Sequence, residues 1–141
     1  MSAGGARVPA PLERLSAERR SVVLAGMEAD ERLDAAAFAA IFSSDGRFRM
    51  AGNPEVSGRE AIATAVDGLF RHLAGLRHDY HRAWEDEDSL AYQATAHWTL
   101  RDGREVCAPY ANVLVFDGDE LAEYAVHIDT TELMQAIAQQ R

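Results

Sequence analysis

The chain has 141 residues, 48% hydrophobic and 26% charged, the proportions of one globular domain. Its 23 acidic residues outnumber 14 basic ones for a net charge of −9, and every basic residue is an arginine. Nucleic acid, which demands clustered cations against its phosphates, is excluded as a partner, and so is a membrane, since no apolar run nears the ~18 residues of a spanning helix.

Residues 1–15, MSAGGARVPAPLERL, carry no apolar stretch of secretory type, and with Pro9 and Pro11 they read as a flexible arm before a domain at 16–141. Ser16 can cap a helix running to about Met27, with Val22, Val23, Gly26 and Met27 on one stripe. Asp34 can cap a second, AAAFAAIF, built on the strongest helix former. SSDG at 43–46 then breaks the helix, and RFRMAG reads as a short strand. Ser57 and Glu60 have capping-box spacing. Behind them Ile62, Ala65, Val66, Leu69, Phe70 and Leu73 recur at helical period, with Gly75 as the expected terminator.

From Leu76 the period changes to two. LRHDYHRAWED, SLAYQATAHWTL, REVCAPYANVLVF and ELAEYAVHID are successive strand candidates, punctuated by Asp86–Ser89, Asp102-Gly103 and Asp117-Gly118. Tight turns make such strands antiparallel neighbours, because parallel ones need long crossovers. TTELMQAIAQQ closes the chain as a short helix. Helices followed by an antiparallel meander imply an α+β domain, with helices on one sheet face and a cavity at the open end.

Alternation assigns the faces. Leu90, Tyr92, Ala94, Ala96, Trp98 and Leu100 must face the core, and Tyr110 and Asn112 are expected to do so in the next strand. A buried Asn112 needs hydrogen bonds, from a ligand or from neighbouring groups. His78 shares a face with Tyr80, Arg82 and Trp84 by simple alternation, which makes His78 and Trp84 candidate lining residues. In AVHIDTTEL, His127 and Asp129 share one face and Val126 and Ile128 the other. Ala111, Val113 and Val115 form an apolar stripe opposite Asn112, a surface expected to be covered in a homodimer. Cys107, the single cysteine, forms no intramolecular disulfide; it reads as structural and suits a cytoplasmic location.

The stretches FSSDGRFRMAGNPEVSGREAI, LRHDYHRAWEDED and FDGDELAEYAVHIDTTEL resemble the SnoaL-like branch of the NTF2-like superfamily, over residues 17–138. The superfamily includes polyketide cyclases, ketosteroid isomerase and limonene-epoxide hydrolase. The resemblance implies a cone: a bent sheet around three N-terminal helices and a short C-terminal helix, enclosing an apolar pocket, often in a dimer built through the sheet. It also implies an acid/base at Asp129, which matches the aspartate ending the last strand of the aldol cyclases. The isomerase base position falls on Met50, which takes no proton, and its proton-donating aspartate corresponds to Asn112. The arginine and aspartate of the epoxide hydrolases fall on Ala96 and Trp98.

These readings together give a small cofactor-free enzyme for a hydrophobic, carbonyl-bearing, polyketide-like substrate, cyclised or isomerised. Asp129 and His127 are the expected catalytic pair, and Asn112, Tyr110, Trp98, His78, Met50 and Trp84 the expected pocket lining. No metal-ligand spacing supports a His78/His127/Asp129 metal site, and no glycine-rich loop indicates a nucleotide. The alternatives are an epoxide hydrolase-type enzyme and a non-catalytic, ligand-binding dimer. For Asp129 itself the alternative is a cap on the last helix.

Overall fold

The computed structural model describes residues 8–140. Helices α1 (Ala17–Glu31), α2 (Ala35–Ala39) and α3 (Arg59–Phe70) precede most of a six-stranded sheet, and α4 (Thr131–Gln139) ends it. The strands are β1 (Phe42–Met50), β2 (Val56–Ser57), β3 (Leu73–Glu85), β4 (Ser89–Leu100), β5 (Glu105–Asp117) and β6 (Glu120–Ile128). Their spatial order is β2-β1-β6-β5-β4-β3; β1 and β6 are parallel and all other pairs antiparallel. The curved, open sheet packs one face on the helices, the α+β arrangement that the residue pattern predicts and the cone that the resemblance implies.

The period-two strands lie where alternation puts them. In β4, Leu90, Tyr92, Ala94, Ala96, Trp98 and Leu100 are all buried, and the β4–β5 register is unbroken over its full length. The β5–β6 turn is Gly118-Asp119, with Gly118 at φ +62°, a left-handed conformation that costs glycine least. Asp34 caps α2 as expected, its side chain accepting a bond from the Ala37 N–H at 2.9 Å.

Other boundaries move. Residues 1–7 of the expected arm lie outside the described residues, whereas Ala10–Arg14 form a 3-10 turn with Leu12 at 0% exposure and Leu15 at 3%. That segment belongs to the core. Ser16 precedes α1, but its side chain serves the sheet: its N–H and hydroxyl bond the Glu85 carboxylate at 2.6 and 2.8 Å. α1 runs one turn past Met27. Ser57 does not cap α3; it is paired to Arg47 in the sheet, and Gly58 at φ +89° takes the N-cap position. Gly75 lies inside β3 against Thr99, because the turn after α3 is already complete at His72.

Two β-bulges matter most for function. In β3, Tyr80 pairs with Ala94 and Arg82 with Gln93, so His81 is an extra residue. In β6, Leu121 pairs with Phe116 and Glu123 with Val115, so Ala122 is another. One inserted residue exchanges the faces of everything beyond it.

Candidate active site

The cone encloses a cavity of about 380 Å³ between the sheet, α1, α3 and α4. Its walls are largely apolar: Phe38, Phe48, Val66, Leu76, Trp98 and Ile128 all contribute. Phe38 stands edge-on to Phe48 and Tyr124, with ring centroids 5.5 and 5.4 Å apart, a favourable aromatic geometry. Asn53, Pro54, His72, Thr130 and Met134 also line it, and Met134 is 45% exposed.

Against this apolar wall stands a chain of three polar side chains. Asp30, on the last turn of α1, places Oδ2 3.2 Å from Nε2 of His78 on β3. The other ring nitrogen, Nδ1, is 2.9 Å from the Tyr110 hydroxyl on β5. All three line the cavity, and the Asp30 and His78 side chains are only 16% and 9% exposed. Burial pushes the Asp30 carboxyl above its ordinary value, outweighing the hydrogen bond and charge of His78. Burial, then the neighbouring Tyr92 and Asp30, likewise push the Tyr110 hydroxyl well up, so it remains a neutral phenol.

A second polar knot closes the wall beside it. Asn112 Nδ2 donates to the hydroxyls of Tyr92 at 2.8 Å and Tyr124 at 3.0 Å, and the two hydroxyls are 3.1 Å apart. Burial raises Tyr92 to about 12, although its bonds with Tyr124 and Asn112 pull the other way. The Asn112 carbonyl oxygen is buried without a partner.

The structure brings five expected lining residues to the cavity: Met50, His78, Trp98, Tyr110 and Asn112. It does not bring the sixth, Trp84, or the expected catalytic pair. His127 and Asp129 are exposed, and Val126 and Ile128 take the cavity face in their place. The cause is the bulge at Ala122. A register kept straight from the Asp117–Glu120 pair would set His127 opposite Tyr110; the extra residue puts Ile128 there and turns His127 and Asp129 outward. Asp129 Oδ1 instead accepts the Thr131 N–H at 2.9 Å, at the start of α4, and bonds to Thr131 hold its carboxyl below the ordinary range. Trp84, 43% exposed, is turned out by the bulge at His81, which buries Ala83 completely. His78, His127 and Asp129 therefore do not converge on a metal.

Sequence reasoning missed Asp30. Its signal was present: extended by one turn, the stripe of Val23 and Gly26 reaches position 30, so a carboxylate falls on an apolar helix face.

A match to the SnoaL-like domain extends over residues 23–124, most of the chain. The chain belongs to the SnoaL-like family. Among solved structures, an NTF2-like protein of unknown function from Burkholderia pseudomallei superposes with a TM-score of 0.76 at 19% identity, covering 86% of this chain and 98% of its own. A protein described as a SnoaL-like polyketide cyclase, from Jannaschia sp. CCS1, gives 0.72 at 14% identity, covering 99% and 100%. An LEH-like epoxide hydrolase of M. tuberculosis gives 0.68 at 16%, covering 86% and 90%. At these identities the likeness establishes the fold. No curated protein sequence matches the chain significantly.

Proposed function

We propose that this SnoaL-like protein is an acid–base enzyme for a hydrophobic, polyketide-like carbonyl compound, with His78 as the proton acceptor and donor. The observation that carries the reading is the buried Asp30–His78–Tyr110 chain opening on an apolar cavity. An ionised Asp30 accepts the His78 Nε2–H and fixes the tautomer, which leaves the Nδ1 lone pair for the Tyr110 hydroxyl. When a substrate gives up a proton beside its carbonyl, Tyr110 oxygen takes it while passing its own proton to Nδ1. The phenol stays neutral throughout, in keeping with its raised pKa. The imidazolium so formed lies against the Asp30 carboxylate, and the reverse transfer delivers a proton to the product oxygen or carbon. Apolar walls hold an enolisable ring system in place and exclude water, the requirement shared by cyclisation and isomerisation.

The outer sheet face supports a homodimer. Trp84, Ala91, Val113 and Ala125 are cross-strand neighbours there and form a continuous apolar rung.

Proton exchange tests the catalytic reading without knowledge of the natural substrate. In D₂O, wild-type protein should accelerate deuterium uptake at the activated carbon of 2-tetralone, followed by NMR. His78→Gln keeps the size of the ring but relays no proton, and should reduce the acceleration by about 10²–10⁴. Equal exchange by the two proteins rules out His78 as the base.

A further inference from the structure

One wall of the cavity is held differently from the others. Met134 and Ile137 of α4, with Thr130 just before the helix, line the space, and Met134 marks its mouth together with the exposed Asn53 and Pro54. The strands of the sheet wall are locked into ladders, whereas α4 joins none. The helix has nine residues, short of the about 12–15 at which a helix becomes even marginally stable in water, so its place depends on what it docks to. Leu133 and Ala136 are its only buried residues.

The polar bonds that fix α4 gather at its last turn. Arg104, at the end of the β4–β5 turn, donates from Nη2 to the Ala136 carbonyl at 2.7 Å and from Nη1 to Gln139 Oε1 at 2.9 Å. That carbonyl is one of the four that a helix end leaves without an internal partner, and a cation there complements the helix dipole. Asp102 aims the guanidinium, accepting from Nε at 3.0 Å. Gln140, just past the helix, accepts from the Asp102 N–H at 3.3 Å and donates to the His72 carbonyl at 3.4 Å. At the first turn, among the described residues, the only bond outside the helix itself is the local one from the Thr131 N–H to Asp129.

We infer that α4 is the gate of the cavity, swinging on Asp129–Thr130 and held shut by Arg104. A rotation about that junction carries the last turn furthest, so a latch placed there has the longest lever. Asp129 and Thr130 lie in neither strand nor helix, where such a rotation is absorbed. With the latch released, the Ala136 carbonyl passes to water, and Met134 and Ile137 withdraw from the opening and widen it for a ring compound. The inference concerns passage into the cavity and does not depend on proton transfer by His78.

Hydrogen exchange and binding kinetics test it with two variants. Arg104→Met keeps the aliphatic stem and removes the fork; Gln139→Ala removes one partner and leaves Arg104 in place. Exchange of the 131–139 amides, read by mass spectrometry, should speed up about tenfold in Arg104→Met and by a smaller factor in Gln139→Ala, with β4 and β5 exchanging as in wild type. N-phenyl-1-naphthylamine, a neutral ring compound that fluoresces in apolar surroundings, reports passage by stopped flow. A gate scales entry and exit alike, so both rates should rise about tenfold in Arg104→Met while Kd changes by no more than about threefold. Arg71→Met, which removes an exposed pair with Asp67 on α3, is the control and should alter neither rate. Should Arg104→Met fail to fold, Gln139→Ala carries the same test. Unchanged α4 exchange in the folded variants, or an increase spread equally over β4 and β5, overturns the inference. So does faster exchange with unchanged entry and exit, which describes a loose helix beside a fixed opening, and so does an absence of probe uptake by every one of these proteins. Loss of proton transfer in the 2-tetralone assay is a separate outcome: it removes the catalytic role of His78 and leaves the passage rates as measured.

Discussion

Asp30 and Asp129 are two carboxylates in opposite surroundings, and their contributions to stability respond to pH with opposite sign. Burial raises Asp30 above the ordinary value of 3.8, so the folded state binds its proton more tightly than the unfolded chain. Its contribution is full below that value and declines as pH rises through the folded pKa. Asp30→Asn, which never ionises and still accepts from His78, should therefore gain more stability over wild type at pH 7 than at pH 4, measured by urea unfolding. A gain that is the same at both pH values means the buried carboxyl titrates normally. Asp129 is lowered by its bonds to Thr131, so its contribution is present above 3.8 and disappears as pH falls through its folded value. Asn at this position should be tolerated in stability, because an amide oxygen accepts the same backbone bond, while Asp129→Ala should melt a few degrees lower. Neither change should slow 2-tetralone exchange, and a large loss in Asp129→Asn would return the acid/base role to the end of β6.

Among the elements, the bulges decide what the cavity contains. Ala83 faces the core at 0% exposure and Trp84 faces out, the reverse of simple alternation from His78. Ala83→Leu should cost about 1–3 kcal/mol by overpacking, whereas Trp84→Ala should change the folding stability of the monomer by no more than about 0.5 kcal/mol. Chemical denaturation of the two variants separates these outcomes, and the opposite ranking would mean that β3 runs straight. The same devices mark how far the sequence can be read. The β4 face was legible because six alternating side chains agree, and the hairpins because Asp-Gly pairs announce them. Nothing in the residues around His81 or Ala122 distinguishes an inserted position from a paired one. Bulges are settled by the twist of the assembled sheet, so parity was readable on each side of them but not across them. That His127 and Asp129 share a face is legible for this reason, and that the face is turned to solvent is not. Asp30 is hidden for a simpler one: the apolar stripe stops at Met27, although no glycine or proline ends the helix before Glu31.

For the whole molecule, the outer face and the N-terminal segment set the size of the functional unit. If the rung of Trp84, Ala91, Val113 and Ala125 is an interface, light scattering at micromolar concentration should report about 31 kDa, twice the 15.5 kDa chain. Val113→Asp should return the protein to a monomer, since a carboxylate at the centre of an apolar contact finds no partner. A wild-type monomer at every concentration excludes the interface. Leu12→Ala should cost about 2–5 kcal/mol, the usual penalty for a fully buried leucine, although residue 12 lies outside the familiar part of the fold.

The tether between the start of the chain and the far end of β3 has a consequence for how the family is delimited. The matched region begins at residue 23, yet Leu12, Leu15 and Ser16 come earlier, as does Arg19, whose guanidinium bonds the backbone carbonyls of Asp86 and Glu87 at 2.9 and 2.7 Å. It stops at residue 124, before Val126, Ile128 and the whole of α4, where Arg104 reaches the Ala136 carbonyl at 2.7 Å. A fragment cut at those limits would keep Asp30, His78, Tyr110 and Asn112, every polar group credited here with chemistry. It would also lose two leucines of the buried core at one end and, at the other, the helix that supplies Met134 and Ile137 to the cavity wall. Such a fragment should be recovered as aggregate, with its full set of reactive groups and no enclosed space in which to use them.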